Sequence, residues 1–107
     1  MRIPLDNCVP RQLRTSFSEH QVDTAGYRGW ERVANGALLA LAEPEYDILI
    51  TSDQNLRYQQ NLSSRRISLT ILPTNNIRVV LSLVREIRQA IAEAKPGSWA
   101  EIRQRNL

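Results

Sequence analysis

The chain has one cysteine, one histidine and one lysine, and each scarcity removes a class of function. Cys8 has no second cysteine to pair with, which excludes a disulfide-stapled secreted domain and suits a reducing cytoplasm. With His20 equally alone there is no Cys/His cluster for a zinc site. Cys8 reads as a small half-buried residue and His20 as surface. No segment approaches the roughly 18 consecutive apolar residues of a membrane span. The opening "MRIPLDNCVP" has one basic residue, an early acid and no long apolar stretch, so it does not read as a secretory signal. Repeats, low-complexity tracts and internal linkers are missing too, and 107 residues then predict a single domain over 1–107.

Arginine is abundant by contrast. Of 14 basic residues against 11 acids, only Lys95 is a lysine; the net charge is +3 and the pI about 9.6. Arginine forks match phosphate oxygens and stack on bases, so this balance permits a nucleic-acid partner. It permits an acidic protein partner as well.

The hydrophobic pattern alternates between element types. "RIPL" reads as a short strand, and Pro10 opens a helix with Leu13 and Phe17 on one face. "HQVDTA" reads as a second strand, "GYRGWERVAN" as a loop, and Asn35 as the start of the apolar helix "GALLALAE". "YDILIT" is a continuous, β-branched run too short for a helix, and "RISLTIL" is another. From Asn76 the spacing of Ile77, Val80, Leu81, Val84, Ile87 and Ile91 predicts one long helix, ended by Pro96-Gly97. Ser98 and Glu101 then fit a capping box for a final short turn holding Trp99 and Ile102. The rhythm predicts a three-layer αβα fold on a short, mainly parallel sheet of about four strands in the order 2-1-3-4. Ligands of such sheets bind at the carboxyl ends of the strands flanking the switch point, here strands 1 and 3.

Asp6 follows the first strand and Asp53 the third. A strand spacing of about 4.8 Å would bring the two acids together at that switch point. Paired carboxylates repel unless a hard divalent cation sits between them, and such a cation can activate water against a phosphoryl group. Thr51 and Ser52 offer hydroxyls, and Asn35 offers a carbonyl oxygen. The alternative for Asp53 is a helix N-cap over Gln54, Asn55 and Leu56; for Asp6 it is a turn residue before Asn7.

The stretches "IPLDNCVP" and "NGALLALAEPEYDILITSDQNL" resemble the PIN domain family of ribonucleases, which includes VapC-type toxins. The likeness covers roughly residues 2–72 and is sharpest at "LD" and "TSDQNL". It implies a Mg²⁺- or Mn²⁺-dependent endoribonuclease, cytoplasmic, acting as the toxin of a toxin–antitoxin pair. On that likeness Asp6 matches the first acid and Asp53 the acid of the T-x-D motif, both catalytic and metal-binding. Asn35 stands where the family has a helix-opening aspartate, so it keeps a ligating oxygen and loses a charge. Glu31 is the nearest candidate for the remaining acid. The resemblance also implies homodimers, for which the long helix and Trp99 offer an apolar face.

Arg11, Arg28, Arg57, Tyr58 and Arg65 are candidate RNA contacts, with Arg66, Tyr27 and Trp30 interleaved. The plainer alternative is that the rings pack on helices and the arginines are solvated. Glu43, Glu45 and Asp47 precede a strand and read as a solvated loop at its amino end. Two rival functions are open to such a chain. A phosphoacceptor receiver domain needs a lysine on a fifth strand, and neither that strand nor that lysine is expected here. A non-catalytic PIN-like module binding RNA or a partner protein predicts the same fold as the nuclease.

Overall fold

Five parallel strands form the centre of the computed structural model, which describes residues 1–33, 35–59 and 62–104, the side chains at 35, 36, 59 and 63 excepted. They are β1 (Arg2–Leu5), β2 (Gln21–Thr24), β3 (Ile48–Thr51), β4 (Ser68–Ile71) and β5 (Trp99–Glu101), side by side in the order β2-β1-β3-β4-β5. The register pairs Leu5 with Ile50, and Ile50 with Thr70. β1, with a strand on either side, is where the chain's direction across the sheet reverses.

Alternation along the strands sends side chains to two separate cores. Ile3, Leu5, Ile48 and Ile50 face one layer, where Leu13, Phe17, Val80, Leu83, Ile87 and Ile91 cover them. Leu49, Leu69 and Ile71 face the other, under Leu38, Leu39, Ala42, Leu56 and Leu62. All four residues of β3 and of β4 are buried, as expected of strands covered on both faces. The αβα class is therefore the observed one.

Three local expectations change. The segment after Pro10 is a 3-10 helix, Arg11–Ser16, closed by the Leu13 N–H on the Pro10 carbonyl at 3.1 Å. At six residues it is longer than most 3-10 segments, and it still buries Leu13 and Phe17 as anticipated. α1 (Asn35–Ala42) and α2 (Leu56–Gln59) lie on the second face, with another 3-10 turn at Leu62–Ser64. The long C-terminal helix is two, α3 (Ile77–Ser82) and α4 (Val84–Glu93). Asn76 caps α3 through the Arg78 and Val79 N–H groups. At its other end the Ser82 hydroxyl donates to the Val79 carbonyl and the Leu83 N–H bonds Val80, tightening the last turn.

The third change matters most. Trp99–Glu101 is a strand, not a capped turn, and the sheet has five strands where four were expected. Lys95 to Ser98 make a tight turn, with Gly97 at φ 76° and the Ser98 hydroxyl bonded to the Lys95 backbone, so Ser98 closes a loop instead of capping a helix. The open edge of β4 then takes up the chain: Leu69 pairs with Trp99 and Ile71 with Glu101. The receiver-domain exclusion loses its missing-strand argument and rests on the lysine alone. Lys95 precedes β5 and lies at the wrong end of it.

Candidate functional site

The carboxyl end of β1 is pinned to β3 by its backbone. The Asp6 N–H donates to the Ile50 carbonyl at 2.9 Å, and the Val9 N–H turns back onto the Asp6 carbonyl at 3.0 Å. This leaves Asp6 2% exposed, one of the few buried polar residues among those described. One of its oxygens, Oδ1, accepts the Asn7 N–H and the other, Oδ2, accepts the Thr51 hydroxyl, each at 2.7 Å. Each oxygen accepts one bond in these contacts, so the carboxylate keeps lone pairs for a further partner.

Thr51 is the hinge of the arrangement. Its side chain is fully buried, donates to Asp6 and accepts the Asp53 N–H at 3.0 Å. Asp53 in turn accepts the Asn55 N–H on Oδ1 at 3.0 Å, an Asx turn that opens α2. The two acids predicted at the switch point are thus joined through one hydroxyl. The Asp53 side chain performs the capping role, the plainer of its two alternatives. Cys8 packs into the same corner: its sulfur accepts the Ser52 N–H at 3.5 Å and stands 3.8 Å from the Thr51 hydroxyl.

No protein-family model, curated protein or solved structure matches the chain.

Beside Asp6 a cleft of about 390 Å³ opens between the ends of β1 and β2, lined by Asn7, Arg11, Thr24, Gly26 and Tyr27. Arg11 is exposed there, as is the Tyr27 ring, and the Asn7 amide holds the loop behind it through the Trp30 carbonyl at 3.0 Å. Of the five predicted RNA contacts, Arg11 is the one lining this cleft.

Arg28 and Arg65 are drawn elsewhere. Arg28 reaches Glu45 at 2.5 Å and the Tyr46 hydroxyl at 2.6 Å, while Arg65 pairs with Glu43 at 3.4 Å. Glu43 and Glu45 precede β3, at the amino end of the sheet; Arg65, just before β4, stands at that end by its place in the chain, and its pairing with Glu45 commits Arg28, from the loop after β2, to the same acidic loop. The "solvated" acidic loop is a clamp for two cations. Arg57 is also spent: it pairs with Glu101 and donates to the Tyr58 hydroxyl. Its guanidinium lies 4.4 Å from the Tyr58 ring centre and 4.2 Å from that of Trp99.

Oxygen donors on Asp6 and Asp53 suit a hard divalent cation better than a thiophilic one. Among the described residues no group of three or more His, Cys, Asp or Glu side chains is arranged to hold a metal ion. Glu31 is exposed in the turn after Trp30. The Asn35 side chain lies outside the described residues. Sequence reasoning missed the bridging role of Thr51, which follows from the β1–β3 register, and the anchoring role of Asn7.

Proposed function

We propose that the chain is a PIN-like, metal-dependent endoribonuclease of the cytoplasm, the toxin of a toxin–antitoxin pair, with its site at the switch point. The observation that supports it most is the buried Asp6 carboxylate joined through Thr51 to the Asp53 turn. A buried acid with unfilled lone pairs at the carboxyl edge of a parallel sheet is costly unless it binds something. Asp6 and Asp53 would hold Mg²⁺ or Mn²⁺. When bound, such an ion polarises a phosphoryl oxygen and lowers the pKa of water. Thr51 fixes the orientation of Asp6, the Asx turn fixes Asp53, and the cleft with Arg11 receives the phosphate backbone.

Asp53→Asn separates the two roles of that residue, because an asparagine still accepts the Asn55 N–H while losing the charge. RNA cleavage by this variant with Mn²⁺ should fall at least a hundredfold at an unchanged melting temperature. Equal cleavage by both proteins would overturn the catalytic assignment. A second reading, a non-catalytic module that binds RNA or a partner, is favoured by the lack of a third acid beside the pair among the described residues. It predicts RNA binding without cleavage, indifferent to Mn²⁺.

A further inference from the structure

Arg57, Tyr58 and Trp99 form an assembly that the catalytic reading does not use. Arg57 and Tyr58 sit on α2, about one helical turn beyond the Asp53 cap; Trp99 opens β5. The Arg57 guanidinium bridges both rings, and Glu101 and the Tyr58 hydroxyl hold it in place. The rings themselves stay open: Tyr58 is 71% exposed and Trp99 49%.

We propose that this bridged ring pair is a stacking platform for unpaired RNA bases leaving the Asp6–Asp53 site, an inference that rests on the ribonuclease reading. Three observations select a base over other ligands. Glu101 holds one terminal nitrogen of Arg57, the Tyr58 hydroxyl holds the other, and Nε is buried, so Arg57 serves the platform as a positioning residue and not as a phosphate clamp. Flat, preordered ring faces accept any base without hydrogen-bond readout, which fits passage of a strand. The other exposed large apolar residues among those described, Met1, Tyr27, Leu41 and Leu81, stand on other elements, so no aliphatic anchor on α2 or β5 accompanies the rings as in a protein-binding patch. Arg103, exposed two residues past Glu101 and without an ion pair among the described residues, supplies charge for the backbone.

The test measures binding apart from cleavage. Full-length protein in EDTA is titrated against labelled octauridylate and against an abasic octamer carrying the same phosphates. Wild type should bind the base-bearing strand about tenfold more tightly. Trp99→Ala and Tyr58→Ala should erase that preference and leave the abasic affinity unchanged, while Trp99→Phe should keep most of it. Equal binding of both strands by wild type, or a base preference that survives both alanine variants, overturns the platform. Should the wild type cleave RNA with Mn²⁺ in that case, the ribonuclease reading stands without it. A base preference lost in the alanine variants of a protein that does not cleave RNA upholds the platform and removes the nuclease. If light scattering finds a dimer that Trp99→Ala splits, with base preference intact, the face belongs to a second copy and the proposal fails.

Discussion

Two clusters of the same four residue types occupy opposite ends of the sheet. Arg28, Trp30, Tyr46 and Glu45 form one; Arg57, Trp99, Tyr58 and Glu101 form the other. In each an arginine lies over a tryptophan and a tyrosine and pairs with a glutamate. The first is closed. Tyr46 is 4% exposed, packs edge-on against Trp30 at 6.0 Å, donates its hydroxyl to Asp23 at 2.7 Å and accepts from Arg28. The second turns its rings to solvent and has no counterpart of Asp23 in the contacts described. Identical chemistry is structural in one place and available in the other, and what separates them is burial of the tyrosine.

Truncating the two tyrosines should separate the clusters most sharply. Tyr46→Ala removes a buried ring from the core beneath α1 and should cost about 3 to 5 kcal/mol of unfolding free energy. Tyr58→Ala removes an exposed ring and should stay within about 0.5 kcal/mol. Chemical denaturation of both variants checks this, and comparable losses would mean that the two clusters are alike.

A smaller effect isolates the hydroxyl. Tyr46→Phe leaves Asp23 and Arg28 without their shared partner and should cost about 1 to 2 kcal/mol. Burial first, and the bond to Asp23 second, push the Tyr46 phenol above its ordinary value of 10.0, against a smaller opposing pull from Arg28. A group whose folded pKa is raised contributes stability that is fully present below the unfolded value and lost as pH climbs through the folded one. Stability should therefore fall with rising alkali above about pH 10, more steeply in wild type than in Tyr46→Phe. Ultraviolet titration should show one late phenolate transition that this variant lacks.

The central strands were legible in the sequence and the partners within the two clusters were not. "YDILIT" and "RISLTIL" announce β3 and β4 because local apolar runs decide buried parallel strands. The partners of Arg28 and Arg57 depend on which loops the topology brings together, which no local pattern encodes. β5 escaped for the same reason: Trp99-Ala100-Glu101 carries no strand pattern, and its conformation is imposed by the unpaired edge of β4. Leu81 shows the limit of periodicity. The buried stripe runs through Val80, Leu83, Ile87 and Ile91 at three- and four-residue steps, so Leu81, expected on it, is 43% exposed while Leu83 takes its place in the core. At the candidate site the positions of Asp6 and Asp53 at strand ends were readable. The hydroxyl that joins them was not, because Thr51 meets Asp6 only once β1 and β3 are in register.

The gentlest perturbation tests whether the open cluster is held together by charge. The Arg57 side chain is 15% exposed and that of Glu101 26%, so their ion pair is less screened than a surface pair and less costly than a buried one. Glu101→Gln keeps a hydrogen-bonding oxygen while removing the negative charge, and should cost about 1 kcal/mol or less. The freed positive charge then stands between two exposed rings. Affinity for single-stranded RNA should rise by about twofold to fivefold, with a salt dependence steeper by roughly one phosphate contact. Weaker binding in Glu101→Gln would mean that the ring geometry depends on the ion pair itself, and that Arg57 holds its place only because Glu101 does.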